Sequence, residues 1–500
     1  MKRRNVVLFA VFLALASACL AAQTKIDRVV VNANQATTPF PHFWEQMFGS
    51  GRAILSLRDS YRQDLRATKG ITDFQYVRFH AIFHDEVGVY DEDEQGHPLY
   101  NFSYIDQIYD GLLANGVRPL VEISFMPRKL AAKETIPDIS WYRPSNSPPK
   151  DLAKWDDLIY QFAAHLVSRY GADEVARWYF EVWNEPNIGY WGGDPYQATY
   201  FDLYDHTAQT LKRVNARLRV GGPATAQAAW VVAFLQHCQE KNIPVDFVST
   251  HAYGNDTSED VFGTHETISR DKMVCRAVKK VHHEIQASSF PHIPLLWTEF
   301  NASAATEPEV TDTTYMGPWL ADTIRQCDGL VDMMSYWTFS DVFEEGGVVK
   351  QPFYGGYGLI AAGGIPKPAF NDFKVLHLLG EERLAVESDS VLATRRQDGA
   401  IVVAAWNLGE PGKDGPTKTI TLQFDGLAKD RCAYVWQVDH EHGDFHEVYA
   451  KMNSPRYPDR DQLDTLRQSV QLAPPRGERI NRNQLELTIP GNGLAVVEIK

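Results

Sequence analysis

Residues 178–191 read Trp-Tyr-Phe-Glu-Val-Trp-Asn-Glu-Pro-Asn-Ile-Gly-Tyr-Trp, and this stretch decides the fold. Trp178, Phe180 and Val182 alternate with Tyr179, Glu181 and Trp183. A run so rich in aromatic and β-branched residues is a strand. Pro186 ends it, because proline has no N–H for the ladder and drives the residue before it out of helical space. Glu185 is therefore expected at the C-terminal lip of a strand, beside Asn184. A carboxyl group ringed by tryptophans loses hydration, which raises its pKa and suits it to donate a proton. On this stretch alone, a strand-end glutamate in a surface salt bridge explains Glu185 equally well.

Residues 293–301, Ile-Pro-Leu-Leu-Trp-Thr-Glu-Phe-Asn, repeat the pattern: a short apolar run after a proline, ending in Glu299. Two strand-end glutamates so far apart in the chain face each other only if several strand–helix units lie between them and the sheet closes. That is a (β/α)8 barrel, whose chemistry sits at the C-terminal ends of its strands. Carboxyl groups about 5 Å apart are what a retaining glycosidase requires.

The remaining periodicity supplies the other units. Strands are expected at 43–48, 74–79, 118–123, 178–184, 219–223, 245–251, 295–299 and 333–339, with helices between them. Residues 200–218 carry the clearest helical spacing, and 370–379 would be the closing helix. After Gly380 the texture changes to short alternating strands separated by turn residues, the mark of a β-sandwich. Residues 36–380 are read as the barrel, 381–500 as the sandwich, and 23–35 as a strand joining that sandwich. The polar stretch 439–475, with His440, His442 and His446, is expected to be a large loop whose histidines are solvated rather than metal ligands.

Residues 1–22 carry a basic head, Lys2-Arg3-Arg4, and a short apolar run: a signal peptide rather than a membrane span. Cleavage after Ala21 or Ala22 is expected. Ala16 fits poorly before a lipidated Cys19, so a lipid anchor is the lesser reading, and Arg3-Arg4 also permits a twin-arginine route. Each route exports the protein, and no later segment is apolar and long enough to span a bilayer. The net charge of −15 argues against a nucleic-acid partner. Cys238, Cys275, Cys327 and Cys432 form no C-x-x-C pair, so no metal is expected, and four buried free thiols are preferred over a disulfide.

Several motifs resemble glycoside hydrolase family 39, the β-xylosidases and α-L-iduronidases. They include Phe-Gly-Ser-Gly-Arg-Ala at 48–53, Val-Arg-Phe-His at 77–80, Phe-Glu-Val-Trp-Asn-Glu-Pro-Asn at 180–187, Val-Gly-Gly-Pro-Ala at 220–224, Val-Asp-Phe-Val-Ser-Thr-His-Ala-Tyr at 245–253, Thr-Glu-Phe-Asn at 298–301 and Ser-Tyr-Trp-Thr-Phe-Ser-Asp-Val-Phe-Glu-Glu at 335–345. The last is the most specific, and all fall in the family's order. The resemblance implies that Glu185 is the general acid/base and Glu299 the nucleophile. It further implies that Asn184 holds the sugar 2-hydroxyl, that His80 and His251 line the −1 subsite, that Glu344 and Glu345 grip other hydroxyls, and that Trp337 forms an apolar wall. Tyr253 and Tyr315 are weaker candidates, for which core packing is at least as good an account. No cofactor is implied. Tyr354 and Thr250 depart from residues common in the family, His and Arg respectively.

The resulting expectation is an exported, exo-acting β-D-xylosidase working on oligosaccharides. Alternatives are a hydrolase of the same family acting on another sugar, iduronidase-like or arabinopyranosidase, and a carbohydrate-binding protein that has lost catalysis. Lys350 is the lone basic residue between Ser335 and Tyr357. A uronic acid needs a cation in its subsite, so a neutral pentose is favoured, with Arg270 and Lys272 the residues that would reverse this.

Overall fold

The computed structural model describes residues 26–133, 140–413, 415–427 and 431–500. The leader read at 1–22, with Cys19, lies outside the described residues. Eight parallel strands close into a barrel: β1 (Met47–Gly49), β2 (Tyr76–Phe79), β3 (Arg118–Ile123), β4 (Tyr179–Val182), β5 (Arg219–Thr225), β6 (Phe247–His251), β7 (Leu295–Phe300) and β8 (Met333–Tyr336). Each pairs with its neighbour in sequence, and β8 returns to β1 through Ser335 and Met47. The (β/α)8 barrel with a C-terminal β-sandwich is thus the fold observed.

Alternation along these strands builds the barrel in layers. Met47, Tyr76, Leu120, Phe247, Leu296 and Met333 form one apolar cluster, with Tyr179 packed on it. Because side chains on one face recur every second residue, the next layer up contains Arg78, Glu122, Glu181 and Thr298, all buried. Their opposite-face neighbours, such as Val77, Val121 and Phe180, join the large cluster beneath the surrounding helices. An apolar plug therefore closes one end, and polar groups concentrate towards the strand C-termini.

The sandwich consists of a seven-stranded and a three-stranded sheet. Ile26–Asn32 runs parallel to Lys418–Asp425 in the smaller sheet. Thr37–Pro39 pairs with Glu382–Leu384 in the larger one, so the barrel starts after the boundary drawn at 36. Along Ile401–Asn407, Ile401, Val403 and Ala405 face the sandwich interior. Val402, Ala404 and Trp406 instead join the barrel's own cluster. One strand thus serves two cores.

Two expectations are corrected. Stretch 439–475 is not a plain loop: it holds helices His446–Lys451 and Arg460–Ser469. The second begins with a capping box between Asp459 and Gln462. Leu466 and Val470 pack with Phe445, Ala361 and Ile365 in a small separate cluster, too few apolar residues to raise a clear period in the sequence. Nor are all four thiols free and buried. Cys275 and Cys327 form a disulfide between helices Arg270–Gln286 and Met316–Cys327, whereas Cys238 is free and buried and Cys432 is exposed. Closing a loop of 52 residues removes about 4 kcal/mol of unfolded-chain entropy. The Cys275→Ala/Cys327→Ala protein should therefore unfold at clearly lower denaturant than the oxidised parent, and an unchanged midpoint would show that the bond contributes nothing.

Candidate active site

At the C-terminal end of β4 the chain turns sharply. Trp183 and Glu185 both adopt positive φ, 70° and 45°, a conformation costing about 1–3 kcal/mol per residue. Three hydrogen bonds hold the turn: Trp183 N–H to Ile123 O (3.2 Å), Glu185 N–H to Ala224 O (2.7 Å) and the Trp183 indole N–H to Tyr190 O (2.8 Å). Backbone from β3 and β5 thereby aims Glu185 across the barrel mouth. Its Oε1 lies 2.9 Å from His251 Nδ1 at the end of β6. The same nitrogen is 3.7 Å from Glu299 Oε1. One carboxyl oxygen of Glu185 and one of Glu299 lie within 4.8 Å of each other.

Arg78 organises what lies beneath. It is fully buried, and its guanidinium reaches Glu181 Oε2 (2.6 Å), Glu299 Oε1 (2.6 Å), Asn184 Oδ1 (2.8 Å) and Glu122 Oε2 (2.8 Å). The bond to Asn184 Oδ1 fixes that amide's orientation, so its NH2 group is presented to the cavity. Tyr253 donates to Glu299 Oε2 at 2.5 Å. The nucleophile candidate is thus held at both oxygens.

The electrostatics separate the groups. Burial raises the Glu185 pKa, His80 and Arg78 pull it down, and the result is about 7. Burial opposes charge on His80, but Glu122, 2.7 Å from Nδ1, and then Glu299 outweigh it and lift that imidazole to about 9. His251 is pushed down to about 4, burial prevailing over the pull of Glu299. Near neutrality one histidine is a cation and the other is not.

The site opens into a cavity of about 890 Å³ lined by His80, Asn184, Glu185, Tyr253, Glu299, Trp337, Glu344 and Glu345. His251, expected to line the subsite, is fully buried behind Glu185 and does not reach the cavity wall. Trp337 lies against His80 with ring centres 4.9 Å apart. Gly49 makes room for it, since a Cβ there would fall 2.0 Å from the indole. Glu344 and Glu345 differ in kind. Both Glu344 oxygens are taken by Arg58, at 2.5 and 3.0 Å, and Arg52 lies 3.6 Å away. Glu345 Oε1 is buried, Ser140 lies beside the carboxyl group, and burial, offset in part by His80 and Ser140, raises its pKa to about 7. Tyr315 does not line the cavity: it is buried at the start of helix Met316–Cys327, within the main core. Thr250 donates to Thr225 O, also outside the cavity, whereas Tyr354 lines it.

Sequence reasoning assigned no role to Arg78, Glu122, Glu181 or Thr298, nor to Tyr190, Gln227, Tyr357 and Arg456 on the cavity wall. For Arg78, Glu122 and Glu181 a signal exists: a charge in mid-strand, flanked by apolar residues. Arg456 has none, since it arrives from the distant helical insertion of the sandwich.

The family model described as "Glycosyl hydrolases family 39" matches residues 27–479. The chain belongs to glycosyl hydrolase family 39. Among curated members it is 38 % identical over 453 residues to a beta-xylosidase of Geobacillus stearothermophilus, covering 88 % of each chain. It is 33 % identical over 492 residues to one from Caldicellulosiruptor saccharolyticus, covering 95 % of this chain and 99 % of that one. A monomeric beta-xylosidase crystal structure from Caulobacter crescentus CB15 superposes with a TM-score of 0.85 at 34 % identity, over 95 % and 99 % of the two chains. As a member of family 39, the chain is a glycosidase.

Within this family 39 site, Arg78 neutralises several buried acids at once. Arg78→Met should therefore cost about 3–5 kcal/mol of folding stability, the penalty for leaving buried charge unpaired. Denaturant unfolding of the variant measures this, and a midpoint equal to the parent's would refute the role.

Proposed function

We propose that this glycosidase is an exported, exo-acting β-D-xylosidase that releases xylose from xylo-oligosaccharides with retention of configuration. The approach of the Glu185 and Glu299 carboxyl oxygens to within 4.8 Å carries the mechanistic reading. Retaining enzymes hold their carboxyl groups about 5–5.5 Å apart, and inverting enzymes leave about 6.5–9.5 Å for a water.

Glu299 attacks the anomeric carbon while Glu185 protonates the departing glycosidic oxygen, giving a glycosyl-enzyme ester. Arg78 and Tyr253 keep the Glu299 carboxylate in one orientation, so little reorganisation accompanies attack. Ester formation removes the negative charge of Glu299 and so lowers the Glu185 pKa. Glu185, now ionised, takes a proton from the water that cleaves the ester. The Asn184 amide donates to the 2-hydroxyl, where a bond that tightens in the transition state contributes most to rate. His80, its Nδ1 occupied by Glu122, offers Nε2–H to a second hydroxyl. Glu345, on the cavity wall, accepts from a third, and Trp337 covers the apolar face. Glu344 is better read as the anchor of its loop through Arg58 and Arg52.

The names of the relatives support xylose, and so does the charge distribution, because the cation on the cavity wall beside the reacting centre, His80, is already paired with Glu122 and stands 3.9 Å from Glu299. Among the described residues, the lysines and arginines lining the cavity are Lys350 and Arg456, both exposed. Arg270 and Lys272 are engaged elsewhere, by Glu307 and by Asp322. The leader at 1–22 and the Cys275–Cys327 disulfide support export, since such bonds persist in oxidising compartments.

A panel of aryl β-D-xyloside, α-L-arabinopyranoside, β-D-glucoside and α-L-iduronide tests the substrate. The xyloside should be fastest, and a faster iduronide would overturn the reading. Glu299→Ala should abolish turnover, and Glu185→Ala should slow it least for substrates whose leaving group needs no proton. With a Glu185 pKa of about 7, kcat/KM on a poor leaving group should fall as pH rises through that value, because the proton needed for departure is lost.

A further inference from the structure

The His251 side chain bridges Glu185 to a second, deeper chain of hydrogen bonds. Its Nε2 lies 3.1 Å from Thr298 Oγ1. Thr298 Oγ1 in turn donates to Glu181 Oε1 at 2.7 Å, and Glu181 Oε2 is held by Arg78 Nε at 2.6 Å. Every member is buried. A threonine hydroxyl has a single proton. Spent on Glu181, that proton leaves only lone pairs facing His251, so Nε2 must be the protonated nitrogen. A neutral imidazole then presents a bare Nδ1 to Glu185, and the 2.9 Å contact is a hydrogen bond only if Glu185 supplies the proton.

We infer that Thr298 sets the tautomer of His251 and through it keeps the proton on Glu185, making Thr298 a positioning residue of this site. The inference rests on Glu185 being the proton donor. Two neighbours favour the arrangement. The depressed basicity of His251 keeps its ring neutral, and the link between Arg78 and Glu181 keeps Glu181 an acceptor. Besides His251, the charged and titratable groups around Glu185 are Arg78 and His80 from β2 and its end, Glu122 from β3, Glu181 from β4, Tyr190 after β4, Tyr253 and Asp256 after β6, Glu299 from β7, and Tyr357 after β8. They set the general level of its pKa. Among the described residues, the hydrogen-bond partner of Glu185 Oε1 is His251, which can change from acceptor to donor by moving one proton. If Thr298 could not donate to Glu181, His251 would be free to carry its proton on Nδ1 and stabilise ionised Glu185 instead.

The test compares Thr298→Val, which keeps shape and removes the hydroxyl, with Thr298→Ser, which restores it. In Thr298→Val the basic limb of kcat/KM on xylobiose should move down by about one pH unit, so that the rate falls about fivefold at pH 7 and about tenfold well above it. Hydrolysis of 2,4-dinitrophenyl β-D-xyloside, whose leaving group needs no proton, should change little. Thr298→Ser should restore the parent profile. An unmoved basic limb in Thr298→Val would overturn the inference. The wild-type protein provides a check independent of folding in the variant. Imidazole ¹⁵N NMR should show His251 with a protonated Nε2 and a bare Nδ1, and the reverse assignment overturns the inference. Failure of the underlying reading has its own signature: a basic limb on xylobiose that persists in Glu185→Gln would remove Glu185 as the donor, whatever Thr298 does.

Discussion

Arg78 is the group on which the rest of the site depends. A guanidinium can make five N–H bonds in a fixed plane and keeps its charge at any relevant pH. At the centre of the barrel it spends those bonds on Glu122, Glu181, Glu299 and Asn184. Each of these would be costly to bury alone. The arginine therefore makes a cluster of acids tolerable in a water-poor interior and also fixes their relative positions. A lysine could supply the charge but not the planar fork, so the geometry calls for arginine.

A second buried cation does comparable work further out. Lys367 is fully buried, with Nζ 2.8 Å from both Asp312 and Asp341. Those carboxylates also accept from Gly355 N–H and Gly358 N–H. The segments after β7 and β8 are thus tied together beneath the loop that carries Glu344, Glu345 and Tyr357. The facing glutamates Glu185 and Glu299 rest on strands with strand-end turns, whereas the outer wall rests on loops stapled by one lysine. The two cations divide the site into a rigid base and a pinned rim.

The parts of this structure that follow a period were legible in the sequence. Strand β3 and the helix Leu152–Tyr170 fall where alternation and 3.6-residue spacing place them, and the barrel follows from eight such units in order. Strand β1 is shorter than its apolar run, because Phe43 and Trp44 pack into the outer core rather than extend the sheet. Tyr315 shows where motif reading reaches its limit: a tyrosine after a catalytic strand can turn into the core as readily as into the cavity, and only the path of the intervening backbone decides. The disulfide was illegible for a related reason. Cys275 and Cys327 meet because two helices on the barrel's outside pack together, and spacing carries no trace of that.

The same limit explains Arg456, and it bears on how the two modules relate. The sandwich shares a strand face with the barrel core through Val402, Ala404 and Trp406. Its helical insertion brings Arg456 to the cavity wall, where Nε reaches Lys350 O at 3.4 Å. A module that shares its hydrophobic core with the barrel and also lines the site cannot shift without changing the cavity's shape. The barrel supplies Glu185 and Glu299, but the enclosure around them is built from both modules. The second core therefore belongs to the catalytic unit rather than being an appendage to it.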